Sequence, residues 1–183
     1  MAEELLEKIP TERCWDITGK TLTNMVVLRG DKSMPTLLSV GEGIIAPVLG
    51  LEKYLEINTK IWGDSGKITF RLFKEMFNIP VEDAAGAIKL ATVVATLLQG
   101  PEGESEIVES NPERAVWRIH KCAWWERYKE HEVKPEFVPC VDAHQAWGEE
   151  GVKSISPKLT YKLLKAMPRG DPYCEAVIEF KED

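Results

Sequence analysis

The feature that most constrains the fold of this chain is a change in hydrophobic spacing at Gly100-Pro101. The apolar run before it, Ala84–Leu98, is interrupted by Lys89 and is rich in alanine. Its length and small side chains predict a buried helix that packs closely against its neighbours. A membrane span needs roughly 20 apolar residues, which is more than this run offers, so we expect no membrane insertion.

The chain upstream of this run has helical spacing. Leu49–Trp62 repeats its large apolar residues near a helical period and is followed by Gly63, which we interpret as the end of that helix. A second stripe, Ile68–Phe77, predicts another helix, which Pro80 interrupts. Residues 1–100 are therefore expected to be mainly helical.

The chain downstream of Gly100 shows strand-like alternation in two pairs of short segments. Two short helices are predicted between the pairs, at about Ala123–His131 and Glu136–Glu149. Each pair is joined by a turn signal, Ser110-Asn111-Pro112 in the first and Arg169-Gly170-Asp171-Pro172 in the second. The predicted strands are Glu104–Glu109, Ala115–His120, Leu159–Leu164 and Cys174–Phe180. We predict a single α+β domain over residues 1–183, with a helical N-terminal part packed on a four-stranded antiparallel sheet.

Charge and cysteine content limit the classes of partner. The net charge of −7 is spread along the chain and leaves no basic cluster for a phosphate backbone, so nucleic-acid binding is not expected. The first ten residues are acidic and contain no apolar signal core. Four cysteines without an export signal are expected to be free thiols or thiolates. We therefore expect a cytoplasmic protein, and Cys14, far from the other three, is interpreted as a packing residue.

Cys140-Val141-Asp142-Ala143-His144 is the most informative segment for chemistry. On a helix Cys140 and His144 are one turn apart and share a face, which suits either a nucleophile–base pair or two ligands of a divalent metal. Asp142 would project from roughly the opposite side. A buried cysteine beside an ordinary surface histidine is the alternative interpretation.

Two further cysteines could join this site. Cys122 stands one helical turn before Glu126, just after a predicted strand, and Cys174 lies on the apolar face of the last strand. Packing roles remain open for both cysteines, because free cysteine is among the most buried residue types. The topology nevertheless predicts that Cys122, Cys140 and Cys174 lie near one another at one end of the sheet.

The order of these motifs resembles a known family. Cys122 leading into a helix, then Cys140-Val141-Asp142, then Gly170-Asp171-Pro172-Tyr173-Cys174-Glu175 is similar to the C-terminal half of the L-2-amino-thiazoline-4-carboxylate hydrolase-like family. It is also similar to the related 4-vinyl-reductase, or hydrocarbon-binding, domains. The resemblance covers roughly residues 115–180. It implies a pocket between helices and an antiparallel sheet, with the three cysteines as family positions able to bind metal.

Three functions remain open at this point. The first is a hydrolase acting on a C–N bond of a small cyclic amidine or amide, with Cys140 as nucleophile or metal ligand, His144 as base, and Asp142 or Glu126 as an orienting carboxylate. The second is a non-catalytic sensor or carrier of a small apolar or cyclic molecule. Its pocket would be lined by the aromatic side chains of Trp124, Trp125, Phe137 and Trp147.

The third function is structural, with zinc or another divalent metal joining the sheet to the helices. Its ligands would be Cys122, Cys140, His144 and Cys174. Under the first two functions the expected partner is a small-molecule ligand or substrate. A second copy of the chain, in a homodimer, is a further option.

Overall fold

The computed structural model describes residues 41–99 and 103–181. The described helices are α1 (residues 41–49), α2 (Leu51–Met76), α3 (Ala84–Gln99), α4 (Ala123–Glu130) and α5 (Cys140–Ile155). Two short 3₁₀ turns, Pro135–Phe137 and Met167–Arg169, precede α5 and follow the third strand. The strands are β1 (Glu104–Ser110), β2 (Arg114–Lys121), β3 (Leu159–Lys165) and β4 (Cys174–Phe180). No helix in these ranges is long and apolar enough to cross a membrane.

The four strands form one antiparallel sheet in the order β1-β2-β4-β3. Each predicted hairpin is present, and β2 and β4 join the two hairpins at the centre of the sheet. The α+β prediction is confirmed: helices pack on a four-stranded antiparallel sheet. Alternation along the strands sends the apolar side chains of β2, β3 and β4 into a shared core with α3.

Helix α3 confirms the prediction of a buried helix at Ala84–Leu98. Ile88, Leu90, Ala91 and Val94 are fully buried in the core. The helix begins beside Asp83, whose carboxylate accepts a hydrogen bond from the backbone N–H of Gly86 at 2.8 Å. Such a side-chain acceptor satisfies one of the free N–H groups of the first turn.

The prediction that a helix ends at Gly63 is wrong. Helix α2 continues to Met76 because Gly63 and Gly66 are contact points with α5 rather than helix terminators. A Cβ atom on Gly66 would lie 2.2 Å from the carbonyl oxygen of Trp147, so only glycine allows the two helices to approach this closely. Spacing along one helix does not reveal such a contact with another.

The predicted start of the last helix, at Glu136, is also wrong. Pro135–Phe137 forms a separate 3₁₀ turn, and α5 begins at Cys140, directly after Pro139. Proline disfavours helical geometry at the residue before it, so the chain makes a break at Val138-Pro139 before the helix starts. The break places Cys140 in the first turn of α5, and the helix continues to Ile155, beyond the predicted end at Glu149.

Candidate ligand-binding cavity

A cavity lies between the sheet and helices α2, α3, α4 and α5. The centres of water molecules can occupy about 90 Å³ of it. One water needs roughly 10–15 Å³ on this measure, so the cavity has room for several waters or one small ring molecule. It is lined by Trp62, Ala95, Leu98, Ile119, Cys122, Trp124, Trp125, Tyr128, Pro139, Cys140, Ala143, His144, Trp147, Leu163, Ala166, Pro168 and Cys174.

One face of α5 supplies a wall of this cavity. Cys140, Ala143, His144 and Trp147 all line it, and their spacing of i, i+3, i+4 and i+7 puts them on the same side of the helix. On an adjoining side, α5 packs on α2 at Gly63 and Gly66, and Gly66 approaches the backbone of Trp147 itself. The close glycine contact therefore fixes the position of the helix that carries the cavity residues.

Aromatic side chains form much of the remaining wall. Trp62 and Trp124 meet edge to face with ring centroids 5.1 Å apart, and Trp125 and Tyr128 also line the cavity. Of the four aromatic residues predicted to do so, Trp124, Trp125 and Trp147 line it, whereas Phe137 is not among the lining residues. The prediction for Phe137 rested on a helix that begins only three residues later.

The structure brings the three cysteine side chains and His144 into this one cavity. Burial raises the pKa of the Cys122 thiol to about 12, raises that of Cys140 well above its usual range, and raises that of Cys174. Apolar burial disfavours the charged thiolate. All three groups are therefore thiols at neutral pH in the protein as it stands.

The cysteine cluster is not arranged as a metal site. Within residues 41–99 and 103–181, no group of three His, Cys, Asp or Glu side chains is placed to hold a metal ion. Cys174 Sγ instead accepts a hydrogen bond from the backbone N–H of Met167 at 3.4 Å. A zinc or other divalent metal at these residues therefore stays a prediction.

His144 is bonded to a tyrosine and not to a cysteine. Its Nε2 lies 2.7 Å from the hydroxyl of Tyr161 on β3. Burial lowers the pKa of His144 to about 4, so the imidazole is neutral at pH 7. A neutral imidazole carries one donor and one acceptor nitrogen, and the Nε2 atom of His144 is hydrogen-bonded to Tyr161. His144 is the most polar side chain among the residues that line the cavity.

The two predicted carboxylates lie outside the cavity. Asp142 is exposed on α5, and Glu126 makes an ion pair with Lys129 at 2.8 Å on α4. Neither is among the lining residues. Helical spacing already placed Asp142 away from Cys140 and His144.

The Gly-Asp-x-x-Cys motif builds one edge of the cavity. Gly170 has a φ of 94°, which glycine adopts readily, and Asp171 accepts a hydrogen bond from the backbone N–H of Ala166 at 2.8 Å. These contacts hold the turn that carries Ala166, Pro168 and Cys174 against the cavity. In this structure the motif therefore has a conformational role.

A buried acid lies behind Cys140. Glu42 of α1 is 5 % exposed and accepts a hydrogen bond from Asn58 Nδ2 of α2 at 2.9 Å. Burial raises its pKa to about 7, although the contacts with Asn58 and Tyr54 lower it in part. The charge of Glu42 in turn raises the pKa of the Cys140 thiol, which faces it from α5.

We expect Glu42→Gln to stabilise the protein at pH 8 and to change little at pH 5. Because the folded-state pKa is above that of the unfolded chain, the stability linked to the protonated acid is complete below about pH 4.5 and is lost as pH rises through about 7. Glutamine avoids this loss, which we expect to be on the order of 2–3 kcal/mol. Urea denaturation across pH 5–8 measures it. The exposed Glu52→Gln on α2 is the control variant.

Comparisons with known proteins give a likeness of fold. No protein-family model matches the chain, and no curated protein matches its sequence. Several solved structures resemble it in fold. One is the phenol-responsive sensory domain of the transcription activator PoxR with phenol, at 12% identity and a TM-score of 0.54, covering 80% of this chain and 74% of that chain.

Another similar structure is a trafficking protein particle complex subunit 3 from Naegleria fowleri covalently bound to palmitic acid. It has 11% identity and a TM-score of 0.57, and the match covers 83% of this chain and 98% of that chain. At this identity the likeness shows a distant similarity of fold alone. The hydrolase-like and 4-vinyl-reductase families suggested by the motifs remain a prediction.

Proposed function

We propose that this protein is a non-catalytic binding domain, a sensor or carrier, for a small aromatic or cyclic apolar molecule. The observation that carries the proposal is the cavity, whose wall combines four tryptophans with one neutral histidine. Small-molecule sites are typically apolar pockets with a few polar groups that orient the ligand. The phenol-bound sensory domain with a similar fold supports this reading.

The polar groups of the cavity favour a ring with one hydroxyl or similar substituent. His144 is the first such group, and it lies between Trp117, Trp147 and Tyr161 with ring centroids 5.9–6.3 Å away. The indole Nε1 atom of Trp147, which also lines the cavity, is buried and has no hydrogen-bond partner among the described residues. A buried donor without an acceptor is costly, and an oxygen atom within reach would relieve that cost.

The hydrolase interpretation has less support from the geometry. A cysteine nucleophile needs a lowered pKa or an adjacent base, whereas burial raises the pKa of Cys140 and the Nε2 of His144 is engaged by Tyr161. The carboxylates proposed to orient the base lie outside the cavity. These features suit a pocket that holds a molecule more than one that opens a C–N bond.

Equilibrium dialysis of the full chain against phenol, toluene and a cyclic amidine tests the proposal. We expect phenol and toluene to bind at one molecule per chain and to be recovered chemically unchanged. Ring-opened amidine, detected by mass spectrometry and lost in Cys140→Ser, would overturn the binding interpretation in favour of hydrolysis. Absence of binding by any ring compound would also contradict it.

A further inference from the structure

Helix α2 exposes a stripe of large apolar side chains on the side opposite to its contact with α5. Ile57, Ile61, Ile68 and Leu72 are 39%, 60%, 65% and 46% exposed, respectively. At 100° per residue these four positions fall within 60° of one another. Contiguous apolar patches of this kind mark interaction sites more often than scattered single residues do.

We propose that this stripe is the contact between two copies of the chain, with α2 packed antiparallel against its own copy. The spacing of the stripe is four, seven and four residues, which reads the same in both directions. In an antiparallel pair, Ile57 of each copy therefore lies opposite Leu72 of the other copy, and Ile61 of each copy lies opposite Ile68 of the other. Such self-complementarity is what a two-fold symmetric interface requires, and the seven-residue step is typical of a helix-pair seam.

The charges beside the stripe favour the antiparallel arrangement over a parallel one. Antiparallel pairing about the centre of the stripe puts Lys53 near Glu75 of the second copy. A parallel pair would instead put each of these charged residues beside the same residue of the second copy. Asp64 lies near the two-fold axis, where its charge is already compensated by Lys60 at 3.0 Å and Lys67 at 3.6 Å.

The stripe is extended by α1, which leads into α2 through Gly50. Four more large apolar residues are exposed there: Ile44, Ile45, Val48 and Leu49. Stable interfaces bury about 800 Å² on each partner. The stretch 57–72 of α2 is only about 22 Å long, so we expect α1 to contribute to the contact.

Sedimentation equilibrium of the full chain tests this proposal. We expect a mass of twice the 20.7 kDa chain and at least a tenfold weaker dimer for Ile61→Lys and Ile68→Lys. Leu164→Lys, at an exposed apolar position of the sheet, is the matched control and should leave the dimer intact. Circular dichroism confirms that each variant is folded.

Cross-linking tests the orientation. In a Cys14→Ser parent, Asp64→Cys should join two copies through a short bis-maleimide, because residue 64 lies close to the axis. Lys53→Cys should not, because its two copies are more than 30 Å apart along an antiparallel pair. A monomer at all concentrations, a dimer insensitive to Ile61→Lys and Ile68→Lys, or cross-linking through residue 53 but not 64 would overturn the proposal.

Discussion

Gly66→Ala should destabilise the protein by at least about 2 kcal/mol, whereas Gly63→Ala on the same helix should be neutral or stabilising. A methyl group at position 66 meets the backbone carbonyl of Trp147 at 2.2 Å, and backbone cannot move aside as a side chain can. Forcing extra volume into a packed contact typically costs 1–3 kcal/mol and occasionally more. That cost exceeds the gain of up to about 1 kcal/mol in helix propensity.

Gly63 is a close control because it faces the same helix. Its added methyl would meet Glu150 Cγ at 3.4 Å and Ala146 at 3.8 Å, which are ordinary contacts. Denaturation midpoints of the two variants give the comparison. Equal stability of Gly66→Ala and Gly63→Ala would show that α2 and α5 are not in the close contact described here. The methyl group of Gly66→Ala should also displace α5 from α2. Because α5 carries a wall of the cavity, we expect this variant to bind ligand more weakly.

His144→Leu should reduce the affinity for phenol about tenfold and leave the affinity for toluene nearly unchanged. The two ligands have the same ring, and only phenol offers a hydroxyl to the imidazole. A net hydrogen bond contributes about 0.5–1.5 kcal/mol, and 1.4 kcal/mol is a factor of ten in affinity. The variant also leaves the Tyr161 hydroxyl without its partner, so we expect a stability loss of about 1–3 kcal/mol.

The ratio of the two dissociation constants is the measurement that separates recognition from stability. A general loosening of the cavity would weaken both ligands together, and the ratio would not change. Cys140→Ala, on the same face of α5, is the control and should alter the ratio little. An unchanged ratio in His144→Leu would show that His144 does not contact the ligand.

Much of the fold can be predicted from the sequence because its signals are local. The alternating segments after Gly100 each lie beside a turn, and a strand pair joined by a short turn needs no other information. The apolar run of α3 is similarly unambiguous in length and side-chain size. The two errors have different causes. The helix continues past Gly63 because this part of α2 packs on the distant helix α5. The last helix starts later than Glu136 because Pro139 follows within the next turn.

The cavity could be predicted only in part. Four residues, Cys122, Cys140, His144 and Cys174, come together because element ends meet at one end of the sheet, which the order of elements indicates. Trp62 and Tyr128 were not predicted, because which face of a helix turns to a cavity depends on the packing of α2 against α5. The protonation states were also out of reach: a Cys–His pair on one helix face predicts an activated thiol, but burial in an apolar wall raises the pKa of the thiol and lowers that of the imidazole.

The central claim, that the cavity between the sheet and α5 binds a small ring molecule, is tested most directly by calorimetric titration of the full chain with phenol. Ala143 lines the cavity, so Ala143→Phe should fill it, whereas Leu164→Phe introduces the same side chain at an exposed position of the sheet. We predict one-to-one binding in the wild type and in Leu164→Phe, and a loss of at least tenfold in affinity in a folded Ala143→Phe. Equal binding by all three proteins, or no binding by the wild type, would contradict the account.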